Sequence, residues 1–580
     1  MSSTRQAKKN LKPRLVEWRF MLVAFLVICV FATLVARAAY IQVIEPDSLI
    51  QQGDNRTKRT RYTQVHRGII TDRNGEELAV SVPVRAIYAD PKIIHDHGGF
   101  NDMRRWQALA DVLGQDLTAI QQRTSDPRRR FVYIERQVSP AMAEYVEQLD
   151  LPGIYLRNES RRYYPAGEVS AQLIGFTDVD DRGIEGIERL YNDWLTGTPG
   201  SRNIRRDAKG RQVEILDETQ GEAGKDLQLT IDQRIQALAY KELKLAVGTY
   251  KAASGSAVVL DIKTSEILAM VNSPSFNPNN RSNVSAHRIR NRAITDTFEP
   301  GSTAKPLAVL AALEFGSADL NDVLDTSPGW MRVGGSLVQD GKNYGQLDLT
   351  GIIRKSSNMG TSKLALSVPK EHFIDLFYQV GMVGDTGTNL VGESGGIFHE
   401  RNRWSDFELA TLSFGYGLSV TTLQLARMYS ILGNGGKKRP LSIVRAGQLP
   451  PAEQVLSKDY AKAMVEMLET VVLDGGTAPK ARVPGYRVAG KTGTSRKAVA
   501  GGYGEEYVNI FAGLAPVSDP QVVVVILINE PGGDLYYAGD TAAPVFARVM
   551  GGTLQLLNIP PDDKAVSSLA AVKGGRRHDS

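Results

Sequence analysis

Phe20–Ala36 (FMLVAFLVICVFATLVA) is a run of seventeen residues without a charge, and a basic head leads straight into it. Residues 1–19 hold Arg5, Lys8, Lys9, Lys12, Arg14 and Arg19 against Glu17, a net +5 that equals the formal charge of the whole 580-residue chain. At about 1.5 Å per residue, a helix here spans roughly 25 Å, just under the hydrocarbon core of a bilayer. Ala38–Ile41 extends it if the Arg37 stem lies along the helix with its head in water. The pattern predicts a transmembrane helix over 20–41. A cleaved signal peptide is the competing reading, because Ala36-Arg37-Ala38 resembles a small-x-small cleavage site. Its apolar region, however, runs only about 7–15 residues. The positive-inside bias then leaves residues 1–19 cytoplasmic and the bulk of the chain across the membrane.

Beyond residue 19 the chain is neutral overall, so no basic excess argues for nucleic acid, and Arg128-Arg129-Arg130 reads as a solvated patch. The length calls for two or more domains, and 42% hydrophobic with 23% charged residues is a globular composition. The single Cys29 lies inside the anchor, which leaves the exported part without a disulfide or a thiol nucleophile. His95-Asp96-His97 is the one close histidine set; without a distant third ligand it reads as a solvated loop rather than a metal site.

Residues 41–225 are polar and turn-punctuated, with strand-like alternation from Leu78 to Tyr88 and an amphipathic helical reading for 101–150. A boundary is expected near Gly221–Lys225. Beyond it come a strand-like Leu227–Ile231, a helix from Asp232, and a hairpin made of Ser256–Leu260 and Glu266–Val271. Tyr507–Ala515 and Gln521–Ile528 read as a further strand pair, and 559–580 as a disordered tail.

Three short strings carry candidate chemistry: Ser302-Thr303-Ala304-Lys305, Ser356-Ser357-Asn358 and Lys491-Thr492-Gly493-Thr494. Each is weak alone, since Ser367–Lys370 also fits the first and Ser275–Asn277 the second. Pro306 is cheap only in the first turn of a helix, so it fixes Ser302 at a helix start with Lys305 one turn on and on the same face. A lysine with a lowered pKa can take the serine proton; an N-cap serine followed by a surface lysine is the bland reading. Ser367 falls instead at a helix end. Ser356-Ser357-Asn358 lies between probable helices Leu349–Lys355 and Met359–Leu366, where a hydroxyl and an amide can relay a proton or simply cap. Gly485–Thr492 formally matches a phosphate-binding loop. Such a loop must leave a strand and enter a helix, whereas Tyr486–Ala489 is itself β-like. An edge strand with Lys491 and two threonines facing a cleft, ready for a carboxylate, fits better.

In this order the three strings resemble the penicillin-recognising acyl-serine transferases. Arg67–Gly75, Arg162–Gly167 and Gly183–Glu188 look like the pedestal motifs of class B penicillin-binding proteins. Ser413–Ala426, Gly475–Ala478 and Phe511–Pro516 look like their division (FtsI) type. The elongation type usually has Gly-Gln-Gly where Gly415-Tyr416-Gly417 stands, and often aspartate at Asn358. Ala304, where valine is common, is a conservative departure.

The resemblance implies an α+β chain: a pedestal over 42–225, a transpeptidase domain over 226–558 with an antiparallel sheet flanked by helices, and the single anchor. It implies Ser302 as the nucleophile of a D,D-transpeptidase acting on D-alanyl-D-alanine stem peptides of nascent peptidoglycan at the septum. Lys305 would be the base, with Ser356, Asn358 and Lys491 assisting, and Thr492, Gly493 and Thr494 binding the donor. The Ser302 and Thr494 amides would form the oxyanion hole. No cofactor or metal is implied; β-lactams and divisome membrane proteins, including a glycosyltransferase of the FtsW type, are implied as partners. An elongation-type enzyme, a β-lactam hydrolase and an inactive scaffold or sensor stand as alternatives.

Overall fold

The computed structural model describes residues 17–563 except 45, 64, 208–211, 400, 402, 500, 501 and 534. Nearly all of the basic head and most of the expected tail lie outside the described residues. The apolar run folds as α1 (Glu17–Ala39), no side chain of which is buried. With the turn that continues it, the apolar stretch covers Glu17–Val43. At about 1.5 Å per residue this is roughly 40 Å, enough to cross a bilayer core of about 30 Å. Thr33, polar within this stretch, donates its hydroxyl to the Cys29 carbonyl at 2.8 Å and so satisfies it inside the helix. It is the one such helix among the described residues.

The chain forms two compact units. The first takes residues up to 65 together with 198–222 and adds to α1 an antiparallel sheet of Lys58–Thr63, Gly200–Arg206 and Gln212–Thr219. The second takes 66–197 and the chain from 223 onward.

Within the second unit, Glu77–Ala89 pairs antiparallel with both Val132–Val138 and Ile154–Tyr163. The segment 101–150 is not helical throughout. Met103–Leu113, Leu117–Arg123 and Pro140–Gln148 are helices, but Val132–Val138 is a strand between them. Its Val132, Ile134 and Val138 are buried while their neighbours are not, a period of two that the longer helical pattern masks. Arg130 stays on the surface, its side chain 62% exposed, and pairs there with the buried Asp90 at 2.9 Å.

The three pedestal strings, far apart in sequence, meet on one carboxylate. Glu188, with no exposed surface, accepts from Arg67 Nε at 2.7 Å through one oxygen and from Arg162 Nε at 2.6 Å through the other. Arg67 also donates to the carbonyls of Asp181 (3.0 Å) and Glu188 (2.9 Å) and to the Thr196 hydroxyl (2.7 Å). Gly183 has a steric reason: a Cβ there would lie 1.9 Å from the Glu188 carbonyl oxygen.

The main sheet follows from its apolar runs. The strands β1 (Ser254–Asp261), β2 (Ile267–Ser273), β3 (Ala489–Val499), β4 (Gly502–Ala515) and β5 (Val522–Asn529) lie in the order β2-β1-β5-β4-β3, each pair antiparallel. Val522–Ile528 is apolar at every position and buried at every position, so the sheet is covered on both faces. Of the helices α2 (Gln233–Thr249), α3 (Lys305–Phe315), α4 (Leu349–Lys355), α5 (Asn358–Leu366), α6 (Thr422–Gly433) and α7 (Ala538–Leu556), α2, α6 and α7 supply the cover, while α3, α4 and α5 pack on one another. Phe546 of α7 packs on Phe511 of β4, ring centroids 4.6 Å apart. The opposite face meets α6, where Ser256 and Thr422 hydroxyls lie 2.8 Å apart. The strand-like Leu227–Ile231 stays outside this sheet: Leu227–Gln228 pairs in parallel with Ile70–Thr71, and Leu229 bridges antiparallel to Val444. The start of the expected tail is held too: Ile559 is buried, its carbonyl accepts from the Tyr486 hydroxyl at 2.6 Å, and Asp562 accepts from the Arg487 amide at 2.7 Å.

Removing Glu188 leaves two buried guanidinium groups without their anion, a loss of about 3–5 kcal/mol. Glu188→Ala is expected to lower the denaturant midpoint of the full-length protein correspondingly, whereas Arg128→Ala, on a side chain 90% exposed, should stay within about 0.5 kcal/mol. Equal effects from the two variants would refute this assignment.

Candidate active site

The turn that opens α3 is fixed from several sides. Gly301, at φ +53°, donates its amide to the Gly415 carbonyl at 3.1 Å. Thr303 donates its hydroxyl to the Pro300 carbonyl (2.7 Å), and buried Tyr429 donates to the Thr303 carbonyl (3.0 Å). Ser495 on β3 donates to the Glu299 carbonyl (2.9 Å). Ser302 sits in the 3-10 turn Gly301–Ala304, one step ahead of the α-helix whose opening turn Pro306 occupies. It is half-buried, and among the described residues no side-chain hydrogen bond holds its hydroxyl.

Lys305 is fully buried, and its ammonium donates to the Ser356 carbonyl and, at 3.1 Å, to the Ser356 hydroxyl. Lys491 is equally buried and reaches the same hydroxyl at 3.0 Å and its neighbour's Thr492 carbonyl at 3.3 Å. With both lone pairs of Ser356 Oγ taken by donors, its own O–H is left to point elsewhere. Burial pushes the Lys305 amine well below its usual value, and the adjacent Lys491 adds to this while Asp340 opposes it. Burial brings Lys491 down to about 7.

Ser356-Ser357-Asn358 divides its work. Ser356 ends α4 in the left-handed region at φ +59°, a conformation costly for a residue with a Cβ. The chain turns there, and Ser357 caps α5 by accepting from the Gly360 amide at 2.9 Å. Ser357 also donates to Asp340 at 2.6 Å, and the other Asp340 oxygen accepts from the Asn358 and Met359 amides. The Asn358 side-chain amide donates to the Gln339 carbonyl at 2.9 Å, not to Ser356 or either lysine. Asp340 was missed in the sequence. The Asp340-Gly341 turn signal after the short strand Ser336–Gln339 was available, but it does not say what the carboxylate faces.

Lys491-Thr492-Gly493-Thr494 lies on β3, the edge strand, paired residue for residue with Asn509–Ala512. The strand begins at Ala489, later than expected, because Tyr486 and Arg487 are engaged by the C-terminal segment. The formal phosphate loop thus runs into a strand rather than out of one. Thr492 and Thr477 hydroxyls are 2.9 Å apart, and Thr494 accepts from the Ala538 amide at 3.1 Å. A Cβ on Gly493 would lie 2.7 Å from the Pro300 carbonyl oxygen, so glycine is what lets the edge strand approach the Ser302 turn. Ser302, Ser356, Thr492 and Thr494 line one cleft of about 460 Å³ with Thr477, which belongs to the Gly475–Ala478 string, and with Lys480, Tyr537 and Asp540, which the sequence did not single out. The two decoys lie elsewhere in bonding terms: Ser367 caps α5 onto Leu364 (2.8 Å), and buried Ser275 donates to the Glu168 carbonyl (2.7 Å).

Residues 255–551 match the penicillin binding protein transpeptidase domain, and residues 62–229 match the penicillin-binding protein dimerisation domain. The chain is 48% identical over 565 residues to the peptidoglycan D,D-transpeptidase FtsI of Escherichia coli, covering 96% of each. Among solved structures, a peptidoglycan synthetase from Bifidobacterium adolescentis superposes with TM-score 0.71 at 27% identity, over 87% of this chain and 98% of that one. Penicillin binding protein 3 from Mycobacterium tuberculosis, complexed with aztreonam, gives 0.66 at 28% identity over 86% and 98%. A near-full-length relative at this identity, with both domain matches in the same order, places the chain in the family of class B penicillin-binding proteins, FtsI type.

Proposed function

We propose that this protein is a peptidoglycan D,D-transpeptidase whose acyl-enzyme forms on Ser302, and that β-lactams react at the same hydroxyl. The observation that supports the reading most is the pair of buried lysines sharing the Ser356 hydroxyl beside the cleft that Ser302 lines. A neutral Lys305 amine takes the Ser302 proton as Oγ attacks the penultimate D-alanine carbonyl. The Oγ–C bond forms, the C–N bond to the terminal D-alanine breaks, and the proton leaves on that amine through Lys305 and Ser356. An amine from a second stem then attacks the ester, restoring Ser302 and closing a cross-link. The Ser302 and Thr494 amides hold the oxyanion, each such donor typically contributing about 3–4 kcal/mol. Thr492 and Thr494 bind the donor carboxylate beside Lys491. Asn358 and Gly493 act through position, the first by fixing the segment that carries Ser356, the second by setting the strand-to-turn distance.

Residues 42–225 serve as the pedestal and 226–558 as the transpeptidase domain. α1 anchors the chain with residues 1–19 in the cytoplasm and the rest in the periplasm. The working place is the division septum, beside divisome membrane proteins that include an FtsW-type glycosyltransferase. The positive head and the likeness to FtsI support this placement.

Intact-mass analysis after penicillin should show one adduct on the wild type and none on Ser302→Ala of equal melting temperature; an adduct on the variant would overturn the assignment. The acylation rate should rise with pH, since a depressed amine gains its neutral, proton-accepting form as pH increases, with a midpoint well below 10.5. Lys491→Gln removes a positive neighbour, which raises the Lys305 pKa and moves that midpoint upward; a downward move in stopped-flow profiles contradicts the coupling. Gly493→Ala forces the strand off the turn, and displacements of about 1 Å commonly cost about 100-fold in rate. Acylation unchanged by this variant would show that the close approach is immaterial.

A further inference from the structure

Among the described residues, the cleft that Ser302 lines carries one cation and one anion in its wall, Lys480 and Asp540, and neither belongs to the three strings. Lys305 and Lys491 are wholly buried behind it, both bonded to Ser356 and Lys491 also to the Thr492 carbonyl. Burial brings Lys491 down to about 7, so at neutral pH only about half of its charge is present. Lys480 is open to the cleft, its side chain 58% exposed, and its ammonium donates to Asp540 at 2.8 Å. No other hydrogen bond holds that ammonium among the described residues, which leaves two of its three N–H donors to water or to a ligand.

Both halves of this pair are tethered to the threonines assigned to the donor carboxylate. Lys480, in the 3-10 turn Pro479–Ala481, stands three residues after Thr477, whose hydroxyl is 2.9 Å from that of Thr492. Asp540, in the first turn of α7, stands two residues after Ala538, whose amide donates to the Thr494 hydroxyl at 3.1 Å. Neither backbone depends on the pair for its place. Lys355 of α4 donates to the Gly475 carbonyl at 2.9 Å ahead of Lys480. The Asp540 amide donates to the Tyr537 carbonyl (3.0 Å), and its carbonyl accepts from the Tyr250 hydroxyl (3.2 Å).

An exposed ion pair adds little to stability, so this one is a weak tie that a ligand can break. Its place in the cleft gives it meaning: a carboxylate of the protein sits on the cleft's one cation, where the substrate brings a carboxylate of its own. We propose that Lys480 receives the terminal carboxylate of the donor, and of penicillin, and that Asp540 holds Lys480 until then as an internal competitor. The proposal rests on the transpeptidase reading and gives roles to two residues which that reading leaves unused. The arriving carboxylate takes the free donors of Lys480 from one side and the hydroxyls of Thr492 and Thr494 from the other. The start of α7 favours an anion there, whether Asp540 or the ligand. A donor ending in an amide cannot displace Asp540, so the pair makes the cleft select for a free carboxylate.

The test is stopped-flow acylation of the full-length protein in detergent by penicillin, which separates the dissociation constant of the first complex from the acylation step. Lys480→Gln is expected to raise that constant about fivefold or more while the acylation step stays within about twofold, and Lys480→Arg should bind nearly as the wild type does. Asp540→Asn should lower it about twofold or more, whereas a structural tie would make the same variant bind more weakly. In a Lys480→Gln background this gain should vanish. An unchanged constant in Lys480→Gln, weaker binding in Asp540→Asn, or an Asp540→Asn gain that persists without Lys480 each overturns the proposal. Crystals of the penicillin-acylated wild type, which need no variant to fold, should show Lys480 bonded to the penicillin carboxylate; Lys480 still on Asp540 alone also overturns it. If penicillin leaves no adduct on the wild type, the transpeptidase reading fails instead. Calorimetric titration with acetyl-D-alanyl-D-alanine against its C-terminal amide then decides the pair: a preference for the carboxylate that Lys480→Gln abolishes supports it, and no preference refutes it.

Discussion

Two lysine side chains wholly removed from solvent converge on one serine hydroxyl, and among the described residues no carboxylate touches either of them. An ammonium group in such a place is costly unless it is paired or gives up its proton. Here it is bonded to neutral oxygens: the hydroxyl and carbonyl of Ser356 and the carbonyl of Thr492. Asp340 is the nearest opposing charge felt by Lys305, yet its oxygens are committed to the Ser357 hydroxyl and the first amides of α5. A carboxylate in direct contact would hold the proton on Lys305. Spent on a helix start, Asp340 shapes the loop and leaves the amine free to act as a base.

Keeping that meeting point in place explains features that would be liabilities elsewhere. Ser356 adopts a left-handed conformation where glycine or asparagine is usual, and the reversal it produces turns its hydroxyl toward the lysines while Ser357 turns into α5. Gly415 and Gly493 are both positions where a Cβ would strike the Ser302 turn, 2.1 Å from the Gly301 oxygen in the first case and 2.7 Å from the Pro300 oxygen in the second. The turn is therefore clamped between a loop and an edge strand that only glycine allows to come so near. Such close approach is a matter of three-dimensional contact, and a linear string can signal the glycine without signalling its neighbour.

This difference separates what was legible in the sequence from what was not. Pro306 located the helix start, and the apolar runs located the strands of the main sheet, because both are local effects of backbone and burial. The same logic placed Ser356-Ser357-Asn358 between two helices. It did not divide the string, since which serine faces the lysines depends on one φ angle, and it did not find the Gln339 carbonyl to which the Asn358 side chain donates. Nor did it find the strand Val132–Val138 inside a helical segment, where seven residues of alternation are outweighed by the helices around them.

Buried charge is used in two opposite ways in this chain. Around Glu188 every oxygen of the carboxylate meets a guanidinium, and the arginines reach on to carbonyls and a hydroxyl, so three remote segments are locked into one geometry. Complementary charge there produces rigidity and specifies which segments meet. Around Ser356 two lysines are buried with no counter-ion in contact among the described residues, and the result is a lowered proton affinity rather than a lock. The first arrangement resists change in protonation and suits a support. The second invites it, which is what a group that must accept and return a proton in every cycle requires.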